Sequence, residues 1–130
     1  MLKVGILGMG GMGWFHAARY VKLPDAALIA MADINPAQME AEHATQINLE
    51  DTERRFDPER VSRYGSIEAL IADRRLDVVD VCLPTYLHAE ATVAALEAGH
   101  HVICEKPMAL SVDEADRMMA EEPEKFREKV

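Results

Sequence analysis

The stretch "LKVGILGMGGMG" near the N-terminus does most to limit how this chain can fold. Leu2 to Leu7 is apolar at nearly every position, the pattern of a strand buried on both faces rather than on one. It runs without a spacer into Gly8-x-Gly10-x-x-Gly13, and a helical pattern follows at once. A strand buried on both sides needs helices above and below it, so the neighbouring strands must be joined by crossover helices.

The rest of the chain repeats that alternation. Ala26 to Ala32, Asp77 to Leu83 and His101 to Cys104 read as further buried strands, with a weaker candidate at Val61 to Tyr64. Helices are predicted between them. The first follows Gly11 and stops before Pro24. A second has Asn35 as N-cap, Pro36 at the first helical position and Gln38 placed for a capping box. The third starts at Ser66 and repeats Ile67, Leu70 and Ile71 on one face. The fourth spans about Tyr86 to Ala98 and ends at Gly99, suited to a left-handed C-cap. The fifth starts at Ser111 with Glu114 three residues on, and aligns Val112, Ala115, Met118 and Met119. The expected fold is α/β, a doubly wound parallel sheet of about five strands in one domain over residues 1–130. Thr45 to Arg60 shows no period and reads as a helix extension or a solvated loop.

Composition narrows the class of partner. The net charge of −9 argues against nucleic acid or an anionic membrane, both of which need a positive footprint. No apolar run approaches the roughly 20 residues of a bilayer span, and "MLKVGILG" has none of the parts of a signal peptide. Cys82 and Cys104 each lie in an apolar run and read as small buried hydrophobes in a reducing compartment, so the cytoplasm is the expected location. No second ligand cluster accompanies them, and no metal site is predicted.

The glycine turn carries chemistry. Gly8 permits the tight exit from the strand, Gly10 lets a phosphate approach the backbone, and Gly13 lets the helix pack closely on the strand. The N–H groups of the first helical turn, Gly11 to Gly13, then face that phosphate with the helix dipole behind them. Met9 and Met12 flank the turn, as ligand contacts or as ordinary packing. Asp33 closes the second strand twenty positions after Gly13, with Ile34 beside it. A carboxylate there accepts hydrogen bonds from ribose hydroxyls and repels a 2′-phosphate, and "ADIN" offers no arginine to bind one. A dinucleotide is therefore expected, NAD ahead of NADP. A nucleoside-based methyl donor shares part of this pattern, but the third glycine argues against it.

The far half of such a ligand reaches the turns after the next strands, "CLPTYLH" and "CEKP". Pro84 stiffens the first, Thr85 can hydrogen-bond ribose or carboxamide, and His88 opens the next helix, where it reads equally as a ligand contact or as a cap. Glu105, Lys106 and Pro107 form the second.

Taken together, "VGILGMGGMGWFHA", "ADINP" and "DVVDVCLPTYLHAEATVAALEAGHHVICEKPMALSVDEADRM" resemble the N-terminal domain of the glucose–fructose oxidoreductase, inositol dehydrogenase and rhizopine-catabolism protein family (Gfo/Idh/MocA). The resemblance covers roughly Met1 to Met118. It implies a Rossmann fold and hydride transfer between NAD(P) and a hydroxyl carbon of a sugar, polyol or related molecule. It also implies that Lys106 touches the nicotinamide ribose and the substrate and assists catalysis, with a cis bond before Pro107. An ammonium near the reacting hydroxyl stabilises developing alkoxide charge.

The end of the chain departs from that family pattern. There a sixth strand and a second domain follow; here the fifth helix meets "EEPEKFREKV", where Pro123 cannot continue a helix. The expectation is a five-stranded sheet without the sixth strand, its fifth strand an apolar edge covered by the tail after Ser111 or paired in a homodimer. The chain is expected to bind cofactor and to be inactive alone. A stand-alone NAD-binding or subunit-pairing module is the second expectation.

Overall fold

The computed structural model describes residues 1–40 and 58–121. Five strands, β1 (Leu2–Leu7), β2 (Ala26–Ala32), β3 (Ser62–Tyr64), β4 (Val78–Val81) and β5 (His101–Cys104), form one sheet in the order β3-β2-β1-β4-β5. Every pairing is parallel. The helices are α1 (Gly11–Lys22), α2 (Ile67–Ile71), α3 (His88–Glu97) and α4 (Val112–Ala120). The chain winds from β1 outward through β2 to β3, then returns to the other side of β1 for β4 and β5. The reversal leaves a crevice between the carboxyl ends of β1 and β4, where ligands of open α/β sheets bind.

Two apolar layers enclose the sheet, as strand periodicity requires. Ile6 and Met31 face α1, where they pack with Met9, Trp14 and Ala17. Leu7, Ala30, Val79 and Val81 face the opposite layer, with Leu70 of α2 and Ala91 and Ala95 of α3. Trp14 ties its layer further by donating from Nε1 to the Gln38 carbonyl at 2.8 Å. On the other side His100 is buried, its ring nitrogens 2.7 Å from the Ile71 oxygen and 3.0 Å from the Leu76 oxygen.

Local signals act as the side chains dictate. Ser66 and Ser111 accept from the amides of Ala69 and Glu114 as N-caps, and Gly99 ends α3's turn at φ +90°. Several expectations need correction. β4 stops at Val81, short of Leu83, because its partner β1 ends at Leu7 and turns away at Gly8. The fourth helix is split: Thr85–Leu87 is a 3₁₀ turn and regular α-helix begins at His88. Beyond Asn35, whose side chain accepts from the Ala37 amide at 3.2 Å, the described residues form a 3₁₀ turn over Pro36–Met39. The continuation of that helix, and Thr45 to Arg60 apart from the 3₁₀ turn Pro58–Arg60, lie outside the described residues.

The predicted apolar face of α4 is only partly buried. Met118 packs on Ala89 and Val93 of α3, while Val112 and Met119 lie off that contact and are exposed. Among the described residues β5 pairs with β4 alone, and Ile103 is 46% exposed. Of the tail after Ser111, expected to cover that edge, α4 packs on α3 through Met118, and the part beyond residue 121 lies outside the described residues. Among those residues no helix is long and apolar enough to cross a membrane.

Candidate dinucleotide site

The crevice predicted by the winding is a cleft of about 530 Å³, lined among others by Gly8, Gly10, Met12, Asp33, Ile34 and Pro84. Its floor is the glycine turn. Gly8 has φ +89°, and a side chain there would sit 2.7 Å from the Cys82 carbonyl oxygen, so the turn presses on the end of β4. A Cβ on Gly13 would fall 2.0 Å from the Gly8 oxygen, which is the close approach of α1 to β1. Gly10 and Gly11 differ: a Cβ on either meets nothing within 4 Å. Their faces look into open cleft, the cradle that a pyrophosphate would fill. Above it α1 begins with Gly10 as N-cap, no capping side chain and no acidic residue in its first turn, which leaves the positive helix end directed at the cleft.

Asp33 stands at the lip. Its Oδ2 accepts from the Met9 amide at 2.9 Å and its Oδ1 from the Asn35 amide at 2.8 Å. The carboxylate is thereby fixed in place, and each oxygen keeps a lone pair for a further donor. Ile34 beside it is 89% exposed. The Met9 side chain belongs to the core, fully buried against Ile6, Trp14 and Met31, so only its backbone serves the turn. Met12 is half-exposed and does line the cleft.

The exits of β4 and β5 carry the other residues predicted for the site, and of these Pro84 is among those that line the cleft while Thr85, His88, Glu105, Lys106 and Pro107 are not. Thr85 opens the 3₁₀ turn beside Pro84. His88 does not face the cleft. It is 1% exposed, with Nδ1 2.8 Å from the Pro107 oxygen and Nε2 2.7 Å from the Leu83 oxygen. The ring sits between backbone carbonyls of the two exit turns, and its N–H donates to one of them. Lys106 is exposed, and the Lys106–Pro107 bond is cis.

Beneath these turns lies a polar network not predicted from the sequence. His16 Nδ1 is 2.6 Å from Asp80 Oδ2, and His16 Nε2 is 2.6 Å from Glu105 Oε1. Tyr20 donates its hydroxyl to Asp80 Oδ2 at 2.6 Å, and the Cys82 thiol lies 3.5 Å from Asp80 Oδ1. Asp80 is fully buried. Burial works against a charged His16, but the hydrogen bond and charge of Asp80, joined by those of Glu105, raise its pKa above the ordinary value. The hydrogen bond from His16 correspondingly holds the Glu105 carboxyl below the usual range. Burial first, then the hydrogen bond and charge of Asp80, push up both the Tyr20 hydroxyl and the Cys82 thiol. Donor atoms of His16, Asp80 and Cys82 lie within 4.8 Å of one another. The 2.6 Å separation of His16 and Asp80 is that of a hydrogen bond, shorter than the ~3.4 Å between donors around a tetrahedral zinc ion. The group is a hydrogen-bond network. Its sequence signals were an aspartate inside a fully buried strand, "VVDV", and His16 and Tyr20 four residues apart on one helix face.

Comparison with known proteins agrees with this geometry. Residues 2–127 match the family model described as "Oxidoreductase family, NAD-binding Rossmann fold" (GFO_IDH_MocA). Myo-inositol 2-dehydrogenase of Thermotoga maritima is 31% identical over 120 residues, covering 92% of this chain and 32% of the relative. D-xylose 1-dehydrogenase (NADP(+)) 2 of Haloferax volcanii is 36% identical over 113 residues, covering 87% of this chain and 31% of the relative. The crystal structure of a probable dehydrogenase from Thermotoga maritima superposes with a TM-score of 0.78 at 30% identity, covering 92% of this chain and 32% of that one. The chain thus spans about a third of the length of the relatives it matches. With its glycine cradle, its carboxylate at the second strand's end and the Glu105-Lys106-Pro107 turn, the chain belongs to the Gfo/Idh/MocA oxidoreductase family, as an NAD-binding Rossmann domain.

Proposed function

We propose that this chain is the cofactor-binding part of an oxidoreductase that moves a hydride between NAD and a hydroxyl carbon of a sugar, polyol or related small molecule. The observation that carries the reading is the open space over Gly10 and Gly11 at the uncapped start of α1, with Asp33 fixed at the lip of the same cleft. Gly8 to Gly13 would hold the pyrophosphate through backbone N–H groups. Asp33 would take the ribose hydroxyls, with Ile34 as apolar cover for the base. Pro84 and Thr85, and Glu105 to Pro107, would frame the nicotinamide end. The bound dinucleotide supplies the hydride chemistry. Lys106 is the catalytic residue, its exposed ammonium stabilising negative charge on the reacting oxygen. His88 serves by holding the Pro84 and Pro107 turns in register.

NAD is preferred over NADP because the fixed Asp33 carboxylate repels a 2′-phosphate. That preference is a reading of this chain's residues, since one of its relatives is named for NADP(+). These 130 residues bind cofactor without turnover of their own, a reading supported by the chain spanning about a third of the length of the relatives it matches. A second copy of the chain pairs along the half-exposed β5 edge. Net charge leaves nucleic acid and anionic membranes without a complementary surface, and free Cys82 and Cys104 suit the cytoplasm.

Calorimetric titration with NADH and NADPH tests the reading. NADH should bind more tightly than NADPH, and no NADH should accumulate when the chain is given NAD and a polyol. Absence of binding would remove the reading, tighter NADPH binding would overturn the role of Asp33, and polyol-dependent NADH would overturn the inactivity.

The second reading, a binding or subunit-pairing module with no catalytic role, rests on the exposed β5 edge. It would be preferred if the chain bound NADH and dimerised while its full-length context carried no substrate site.

A further inference from the structure

His16 is the centre of a polar network with a buried side and a partly exposed side. On the buried side α1 is anchored by Trp14 and Ala17, and Asp80 projects from the fully buried strand β4, which lies between β1 and β5. On the other side Glu105 leaves β5 at the surface, next to exposed Lys106. The two oxygens of Glu105 are shared out: Oε1 takes His16 Nε2, and Oε2 accepts the Lys106 amide at 3.1 Å. The backbone that carries Lys106 is therefore tied to α1 through one imidazole ring.

Geometry also sets the charge of that ring. Ionised carboxylates only accept hydrogen bonds, and each ring nitrogen faces one at 2.6 Å. A neutral imidazole carries one N–H, so it would turn a lone pair towards the other carboxylate. Only the imidazolium serves both. Around the ring stand Tyr20 on its own helix, Asp80 from β4, Cys82 from the exit of β4 and Glu105 from the exit of β5. The nearest guanidinium on α1, that of Arg19, is placed over the Phe15 ring at 4.5 Å. The Lys106 ammonium also acts on Glu105, but two carboxylates in direct contact with the ring favour its charged form.

We propose that His16 is a positioning residue for the Glu105–Lys106 turn: its imidazolium, braced by Asp80, grips Glu105 and so fixes the backbone from which Lys106 meets the nicotinamide end of the cleft. The proposal rests on the cofactor reading above and adds to it a pH dependence. The grip is complete while His16 is protonated and is lost as pH rises through its raised folded-state titration. Cofactor affinity should follow the same sense, strong on the acid side and weaker on the alkaline side.

The test uses the ¹⁵N-labelled chain, followed by NMR of the His16 ring nitrogens and by NADH titration from about pH 6 to about pH 9.5, bracketing a titration raised above ~6.5. Both ring nitrogens should carry protons at neutral pH. NADH affinity should fall at least about fivefold across the step in which His16 deprotonates, the lower end of ordinary site coupling. His16→Gln should weaken binding on the acid side and abolish that step. Glu105→Gln, a change at a partly exposed position that spares the buried Asp80 contact, should lower the His16 titration and flatten the same profile. A neutral His16 ring at neutral pH, or a His16→Gln chain that keeps the wild-type pH profile, would overturn the proposal. If the wild-type chain binds no NADH at any pH, the cofactor reading fails by itself. The grip is then read from hydrogen exchange at the Lys106 amide, which should speed up in His16→Gln; unchanged exchange would overturn the grip as well.

Discussion

Two glycines three residues apart in one turn should respond oppositely to the same added methyl group. A Cβ at position 13 would lie 2.0 Å from the Gly8 carbonyl oxygen, where ordinary contact begins at 3.4 Å, so the helix must retreat by about 1.4 Å. The obstacle is main chain and cannot rotate aside. Overpacking a core by a methylene costs ~1–3 kcal/mol, and an immovable neighbour puts Gly13→Ala at or above the upper end, ~3 kcal/mol. For a chain of this size ~4 °C is lost per kcal/mol, so Tm should fall by roughly 10 °C. At Gly10 the same methyl group meets nothing within 4 Å, and φ −71° with ψ −165° suits alanine. The cost there is that of a poorer N-cap, at most ~1 kcal/mol and ~4 °C. The methyl group would instead occupy the cradle where the pyrophosphate approaches, so NADH affinity should fall at least about tenfold, a change of ~1.4 kcal/mol. Thermal melts and calorimetric titration of both variants read the two effects separately. Gly13→Ala with an unchanged Tm would refute the close approach of α1 to β1. Gly10→Ala with wild-type NADH affinity would refute the placement of the phosphate over Gly10.

Two further outcomes are expected. Asp73 is nearly buried and takes Arg75 Nε on Oδ1 at 2.9 Å, Arg75 Nη2 on Oδ2 at 2.6 Å and the Tyr64 hydroxyl at 2.9 Å; hydrogen bonding to Arg75 foremost holds its carboxyl well below the usual range. A depressed folded-state pKa stabilises above the unfolded value of about 4 and is lost as pH falls below it, so Asp73→Asn should lower Tm at neutral pH and flatten its decline on the acid side, whereas an acid limb parallel to wild type would count against the pairing. Sedimentation at rising concentration should show a dimer that an Ile103→Lys change on the β5 edge disperses, and a wild-type monomer at high concentration would exclude pairing there.

Much of the scaffold was legible in the sequence, because its signals are local. β1 and β2 begin and end where their apolar runs do, and Ser66, Ser111 and Gly99 act through their own side chain or lack of one. The glycine turn was equally readable, since each glycine's role is fixed by the strand before it and the helix after it. Where an element's end depends on its neighbour, the local signal failed. β4 stops where β1 stops, and α4 buries only the part of its apolar face that packs on α3.

The sequence by itself determined a parallel sheet wound both ways around β1, a phosphate cradle at its centre and an acidic group at the end of the second strand. Each follows from residue spacing within about thirty positions. Only the tertiary structure decided which polar groups meet across the sheet. It turned His88 away from the cleft to sit between the Leu83 and Pro107 carbonyls, buried Met9 in the core, and joined His16 to Asp80 and Glu105, which lie 64 and 89 positions further along the chain. The physical reason is that a charged residue in a buried strand reports only that it must have a partner. Which helix supplies that partner depends on how strands far apart in sequence stack side by side.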